Sequence, residues 1–447
     1  MRRTDVVLTA LTCMSLLSPA PGTAQTLPRV DGPLTIDRAV DLTIQHSVRL
    51  KAAGADAAVM ESMRREALAP FWPQLSANGY LNDQRQAPSV YMSAGDTMAR
   101  NYQVFNGDRN RDANVTLMWP LFSGGRDYYA YRAASRRAEA GHEMLRASEV
   151  DVAMQARLDY VGAVREAANL DVTDDLVRDV EERVRVSRSA FEAGRIPRYY
   201  LLRDETELAN ARQMQAMAQA RAQQAIIALK TTLGIALDSD VTLADRLEPP
   251  ARAAGVEEAL RDASARHPEL RAAAKQREAA EAEVRAARGR YLPQLSASYM
   301  YDWAWMDTRH RGAMADSSEG YSVGLVLTLP IFDGFMRENA ITTARARVDR
   351  ASQAEVLARQ QITKELNSAV LMLEAARRSV EAARLGVAQA LEETRAVRER
   401  FEAGRGIQLE VLDSQVAVTR ARLNEVTALA DYQNAYAMWL RAAGRVR

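Results

Sequence analysis

Phe191-Glu192-Ala193-Gly194-Arg195 reappears residue for residue as Phe401-Glu402-Ala403-Gly404-Arg405, an offset of 401 − 191 = 210. Five identical residues so far apart suggest an internal repeat, and the flanking sequence extends it. Pro120-Leu121-Phe122-Ser123-Gly124 returns as Pro330-Ile331-Phe332-Asp333-Gly334 at the same offset, and Leu233-Gly234 falls on Ala443-Gly444. Pro73-Gln74-Leu75-Ser76-Ala77 returns as Pro293-Gln294-Leu295-Ser296-Ala297 at 293 − 73 = 220, so the first copy carries extra residues between its two proline landmarks. The chain is a tandem duplication.

Between the prolines of each copy the pattern has period 2, which predicts a β-hairpin over about 73–122 and another over about 293–332. Leu75, Ala77, Gly79 and Leu81 alternate with Gln74, Ser76, Asn78 and Tyr80; Val115, Leu117, Trp119 and Leu121 alternate with Asn114, Thr116 and Met118. In the second copy Leu295, Ala297, Tyr299, Tyr301 and Trp303 oppose Gln294, Ser296, Ser298 and Asp302. Its last strand sets Tyr321, Val323, Leu325, Leu327, Leu329 and Ile331 against Ser322, Gly324 and Thr328. Alternation alone also suits a soluble sheet with one face on a core. Trp119, Trp303, Trp305 and Tyr321 favour lipid, because aromatic girdles mark the ends of membrane strands. Four strands are too few to close a membrane barrel, so closure requires other copies of the chain. The polar stretch of about 84–112 is expected to be an extracellular loop.

The rest reads as long helix. Asp127 to Ala193 contains no proline. In the second copy Ile362, Leu366, Ala369, Leu373, Ala376, Val380, Ala383, Val387, Ala390, Thr394, Val397 and Phe401 alternate spacings of four and three, a coiled-coil seam rich in alanine. After Gly404 the seam resumes at Leu409, Leu412, Val416, Thr419, Leu423, Val426 and Ala430. A seam that stops at glycine and restarts predicts an antiparallel helical hairpin, with Gly194 and Pro197 doing the same in the first copy.

Composition narrows the function. The 447 residues carry a net charge of +1, which gives no reason to expect nucleic acid or an acidic substrate. Arg2, Arg3, an apolar run over Val6 to Leu17 and Gly22-Thr23-Ala24 read as a signal peptide over 1–24, and Cys13, the only cysteine, lies within it. No segment offers eighteen consecutive apolar residues, so a membrane would have to be crossed by a β-barrel. His46, His142, His267 and His310 are scattered without metal-ligand spacing, and no phosphate-binding glycine loop is present. No enzymatic activity, metal or cofactor is expected.

Taken in order, these motifs resemble the TolC-like outer-membrane factor family. Leu34-Thr35-Ile36-Asp37-Arg38-Ala39-Val40 is similar to its first-helix opening, and Ala265-Arg266-His267-Pro268-Glu269-Leu270 to the start of its second repeat. The resemblance implies an α+β membrane protein: a duplicated strand-hairpin and long-helix repeat, with three chains sharing a twelve-stranded β-barrel continued by a periplasmic coiled-coil barrel. Residues 25–234 and 266–447 would be the two repeats, and 235–265 an equatorial connection. It further implies a passive duct in the outer membrane, a homotrimer among outer-membrane lipid, served by a periplasmic adaptor and an inner-membrane transporter.

Carried over from the matched Gly404, the family's inward-facing gate carboxylates fall on Glu410 and Asp413, three apart and thus on one helix face. The corresponding first-repeat positions are Tyr200 and Arg203; charge alone suggests that Arg203 pairs with Glu410 or Asp413 across neighbouring hairpins. The sequence departs from the pattern at Gly406, where some members place a latch arginine. Ala193-Gly194-Arg195 and Ala403-Gly404-Arg405 would be the adaptor-docking tips. Two other classes fit parts of the pattern. One is a soluble periplasmic coiled-coil scaffold. The other is an adaptor, although a single hairpin would be expected there and the chain has two.

Overall fold

A computed structural model describes residues 27–83, 109–249, 261–263, 265–307 and 316–446. The signal peptide and nearly all of the polar stretch after the first strand lie outside the described residues.

In chain order the elements are β1 (Gly32–Leu34), α1 (Ile36–His46), α2 (Val48–Glu66), β2 (Gln74–Asp83), β3 (Arg109–Phe122), α3 (Arg126–Glu192), α4 (Arg198–Leu233), β4 (Val241–Leu243), α5 (Pro268–Gly289), β5 (Gln294–Asp307), β6 (Asp316–Thr328), α6 (Met336–Glu402) and α7 (Gln408–Ala442). The strand hairpins and helical hairpins predicted from the duplication are all present. β3 begins at Arg109, so the last four residues of the loop expected over 84–112 belong to the strand, where Arg111 already pairs with Leu81. Both α3 and α6 run 67 residues without a break, about 100 Å each at ~1.5 Å per residue. No described helix is long and apolar enough to cross a membrane.

The contacts divide the chain into two compact units, each drawing on both repeats. The first takes in Met1–Ser47, Gln155–Leu247 and Val397–Val426. Here β1 and β4 pair in parallel, Gly32 with Val241 and Leu34 with Leu243. Leu34, Ala39, Tyr160, Leu229, Leu233 and Ile235 form its core. Tyr160 is buried, and its hydroxyl lies 2.8 Å from the Leu34 carbonyl and 3.0 Å from the Asp245 carboxylate. Strands of three residues are too short to show a period, so β1 and β4 left no mark in the sequence pattern.

The second unit takes in Val48–Met154, Glu248–Ala396 and Thr427–Arg447 and holds an antiparallel sheet in the order β2-β3-β5-β6. Register aligns the alternation across all four strands. Leu75 faces Leu117, Leu117 faces Tyr299 and Tyr299 faces Val323. One position along, Ser76 faces Thr116, Thr116 faces Met300 and Met300 faces Ser322. One face is therefore apolar and the other largely polar, with Asn78 donating to Asn114 across the polar side at 3.0 Å. Among the described residues nothing covers the apolar face: Leu75, Val323, Leu325 and Leu327 are each about 70% exposed. That is the reverse of a soluble sheet, which would bury this face.

Aromatics bound this face at both ends. Trp119 pairs with Ala297, and Trp305 lies eight residues further along β5, about 26 Å at ~3.3 Å per residue. An outer-membrane apolar band is about 25 Å tall. Around the helical end Trp72, Phe332 and Phe335 are also exposed, a second aromatic group that the alternation could not reveal because it flanks the strands. Between sheet and helices Gly124 and Gly289 touch. A Cβ on Gly124, whose φ is +65°, would lie 2.3 Å from the Gly289 carbonyl oxygen, so only glycine fits this corner.

The predicted α6 seam is buried or half-buried throughout except at Phe401, which is exposed at the tip. The seam predicted for α7 needs correction at its start. Val411, Leu412 and Ser414 are buried while Leu409 and Val416 are exposed, because the hydrogen-bonded contacts of Gln408 and Gln415 with the first hairpin set the rotation of this helix.

Candidate functional site at the helical hairpin tips

Both tips lie in the first unit and share one geometry. After α3, Gly194 at φ +72° donates to the Phe191 carbonyl at 2.9 Å, and Arg195 donates to that of Ala190 at 2.8 Å. After α6, Gly404 at φ +71° donates to Phe401 at 2.9 Å, and Arg405 donates to Arg400 at 2.9 Å. This pair of bonds closes a helix with a left-handed glycine, which an L side chain would strain. Ala193, Gly194, Arg195, Ala403, Gly404 and Arg405 are all exposed.

The carboxylates expected to line one face are placed differently from each other. Asp413 is exposed. Glu410 is half-buried, with Oε2 turned toward the tip, 4.0 Å from Arg400 and beside Gly406, where a Cβ would approach it to 3.4 Å. The tighter neighbour of a Cβ on Gly406 would be the Phe401 backbone, at 3.2 Å. Arg203 is exposed, and among the described residues Arg400 is a cation beside Glu410. Tyr200 stacks on Tyr199, ring centroids 4.2 Å apart.

A buried group that joins the two hairpins was not among the expected residues. Asp204 on α4 is fully buried. Ser187 of α3 donates to Oδ2 at 2.5 Å, Gln408 of α7 donates to both carboxylate oxygens at 3.1 and 3.0 Å, and Arg183 Nε of α3 lies 3.3 Å from Oδ1. Arg183 also reaches Gln415 of α7. Burial pulls the Arg183 guanidinium below its ordinary value, and Asp204 opposes that. The exposed rungs between α3 and α4, Arg188–Glu205 at 2.7 Å and Arg212–Glu181 at 2.8 Å, add little beside it. A signal was present in the sequence: Leu201, Asp204, Leu208 and Ala211 follow seam spacing, with a carboxylate at a core position.

Comparison with known proteins matches this architecture. A family model described as Outer membrane efflux protein covers residues 39–235 and 259–445. The chain belongs to the outer membrane efflux protein family. Among curated relatives, protein CyaE of Bordetella pertussis is 30% identical over 422 residues, spanning 92% of this chain and 84% of that protein. Outer membrane protein OprJ of Pseudomonas aeruginosa is 27% identical over 388 residues, spanning 85% and 77%. Among solved structures, the CmeC outer membrane channel of Campylobacter jejuni aligns with a TM-score of 0.76 at 17% identity, covering 92% of this chain and 85% of that one. The outer membrane protein VceC of Vibrio cholerae aligns at 0.73 and 17% identity, covering 92% and 96%. This outer membrane efflux protein accordingly has the β-barrel-plus-helical-barrel channel fold, sits in the outer membrane with a periplasmic extension, and serves efflux or secretion as a channel.

Proposed function

We propose that this family member is a passive exit duct. Three copies close a twelve-stranded barrel, and their helices form a periplasmic tunnel. Cargo enters from an inner-membrane transporter through a periplasmic adaptor, with no reaction catalysed. One observation carries the reading: a four-stranded sheet with an exposed apolar face, a largely polar opposite face and two edge strands that have no partner among the described residues. A barrel of several copies pairs the edges, puts the apolar face in lipid and encloses the polar face around water.

In this duct the tips are the periplasmic mouth. Three-fold repetition turns Asp413 and Glu410 into acidic rings that narrow the pore and favour cations. Arg203, the first-repeat equivalent of Asp413, would pair with these carboxylates across neighbouring hairpins by charge. Planar-bilayer recording of detergent-purified protein tests this. Wild type should give discrete cation-preferring steps, and Glu410→Ala/Asp413→Ala larger, less selective ones. Asp413→Ala alone should carry most of the change, since Glu410 is turned toward the tip. Steps identical in all variants would move the gate elsewhere, and protein that stays soluble without detergent and never inserts would sink the duct.

The exposed Gly404 and Gly194 turns serve adaptor docking, because the absence of a side chain lets a partner's backbone approach closely. Gly404→Trp should abolish co-purification of the cognate adaptor while leaving the isolated protein's conductance intact; undiminished capture would rule the docking role out.

A further inference from the structure

Four helices of the second unit surround a cavity that their own side chains do not fill. α2, α3, α5 and α6 all line it, and its volume is about 1110 Å³. That is roomy for a small-molecule pocket, which usually holds roughly 300–1,000 Å³. The space exists because small residues face it: Ala140 and Gly141 of α3, Ala279 and Ala280 of α5, Ala351 and Ala354 of α6. A Cβ on Gly141 would come within 3.3 Å of Met60 on α2, so that methionine lies close over the glycine and adds to an apolar wall. Charge around this wall is unbalanced. Glu283 of α5 forms an ion pair with Arg137 of α3, and Arg347 of α6 lies 3.5 Å from the same carboxylate. Arg350 follows three residues later and also lines the cavity; it is exposed and has no ion partner among the described residues. Asp56 of α2, likewise exposed, is the second carboxylate there. Three guanidiniums against two carboxylates leave a surplus of one positive charge. Neighbouring acids do not correct it, since Arg136 and Lys275 hold Glu139 and Glu278, and Arg277 holds Glu355. Burial, with Arg347 adding to it, pulls the Arg137 guanidinium below its ordinary value.

Water against an apolar wall has few hydrogen-bond partners, so an apolar body that displaces it gains affinity, and a surplus cation beside the wall selects the sign of the attached head group. We infer that this cavity is a binding station for an amphipathic anion: the apolar body lies along the alanines and Met60, and one carboxylate, sulfonate or phosphate head meets Arg347 and Arg350. Taking that anion to be cargo rests on the duct proposed above, and it adds a chemical class of molecule that the duct's wall retains. An acidic mouth that prefers small cations is compatible with such cargo, because the apolar body supplies affinity that a bare anion lacks.

Fluorescence titration of the protein purified in an uncharged detergent tests this with two probes of one shape. Anilinonaphthalenesulfonate carries the anion, and phenylnaphthylamine is the same body without it. The sulfonate should bind wild type saturably above the micelle background, and more weakly at high salt. Arg347→Gln/Arg350→Gln should weaken the sulfonate about tenfold, the effect of one lost charge-assisted contact, and leave the neutral probe as it was. Arg347→Lys/Arg350→Lys, which keeps the charge, should retain most of the binding. Ala354→Trp, at an exposed position on the wall, fills the space and should weaken both probes. Native mass spectrometry checks each variant's assembly. Sulfonate binding that survives the glutamine pair or Ala354→Trp overturns the site, and so does its absence from wild type. An assembly lost in Ala354→Trp alone would mean that a neighbouring copy fills the cavity, which also overturns it. The duct is judged separately by wild-type bilayer steps: steps without arginine-dependent binding leave the duct and sink the site, whereas arginine-dependent binding by protein that never inserts leaves the site and sinks the duct.

Discussion

Asp204→Ala is expected to cost about 3–5 kcal/mol of local stability at the hairpin tips, the range for breaking a buried ion pair from one side. The residue is fully buried, and its removal strands three groups at once. Arg183, with a side chain only 16% exposed, loses its carboxylate, while Ser187 and Gln408 lose their acceptor. The cost comes from these stranded partners more than from the pair's net worth, because desolvation offsets most of the attraction in an intact buried pair. The double variant Arg183→Met/Asp204→Leu should therefore recover most of the loss. Asp204→Asn, which keeps an acceptor but not the charge, should fall between. Hydrogen exchange is the suitable readout, since local opening need not register in a global melt. Protection of amides in α4 and at the start of α7 should drop by about two to four orders of magnitude in Asp204→Ala, at ~1.4 kcal/mol per tenfold, and little in the double variant. Equal loss in both would mean that the site works by packing and not by charge. Asp204 and Gln408 join the first hairpin to the second, so Asp204→Ala should also enlarge the conductance steps with Glu410 and Asp413 untouched.

How much of this could be read from residues alone depended on whether the determinant was local. Strand alternation is local, because a pleat exposes every second side chain whatever the partner. It therefore located all four strands, and the repeated glycine tips located both helical hairpins. Helix rotation is not local. The α7 seam was misread at Leu409 and Val416 because Gln408 and Gln415 bond to Asp204 and Arg183, more than two hundred residues earlier in the chain. The family resemblance directed attention to Glu410 and Asp413 on the return helix of the second tip, of which Asp413 is exposed and Glu410 half-buried. Asp204 was visible as a charge at a seam position, but its three partners come from two other helices and no spacing rule connects them. Trp72 and Phe332 escaped for a third reason: they stand just outside the strands, where the period has ended.

Arg441→Met should lower the stability of the second unit by about 3 kcal/mol at neutral pH, toward the low end for a broken buried pair because the site keeps some contact with water. Arg441 on α7 reaches Asp151 of α3 at 3.0 Å, Glu269 of α5 at 3.5 Å, and Glu365 of α6, so one guanidinium neutralises carboxylates from three other helices. Side-chain exposure there is 26–34%. Arg49, at 3.9 Å from Asp151, is the next cation and is mostly exposed. Burial already holds Glu269 above the usual carboxylate range, with Arg441 opposing and Asp151 and Glu365 adding to the rise. Without the guanidinium, Glu269 loses the one neighbour that lowers it and keeps burial, Asp151 and Glu365 raising it, so its folded-state value rises further above the unfolded one. A carboxylate whose value is raised by folding destabilises above that value, and the penalty fades as pH falls toward the unfolded range near ~4. His267 acts in the same direction. Burial first and Arg441 second keep it below the ordinary histidine value; removing Arg441 eases its protonation and supplies a substitute cation under acid conditions. The stability gap between Arg441→Met and wild type, followed by urea midpoint, should therefore be widest near pH 7 and shrink steadily toward pH 5 and below. A gap that stays constant with pH would show that Arg441 contributes by packing and not by charge, and Arg441→Lys, which keeps the charge without the planar fork, would then be no better than Met.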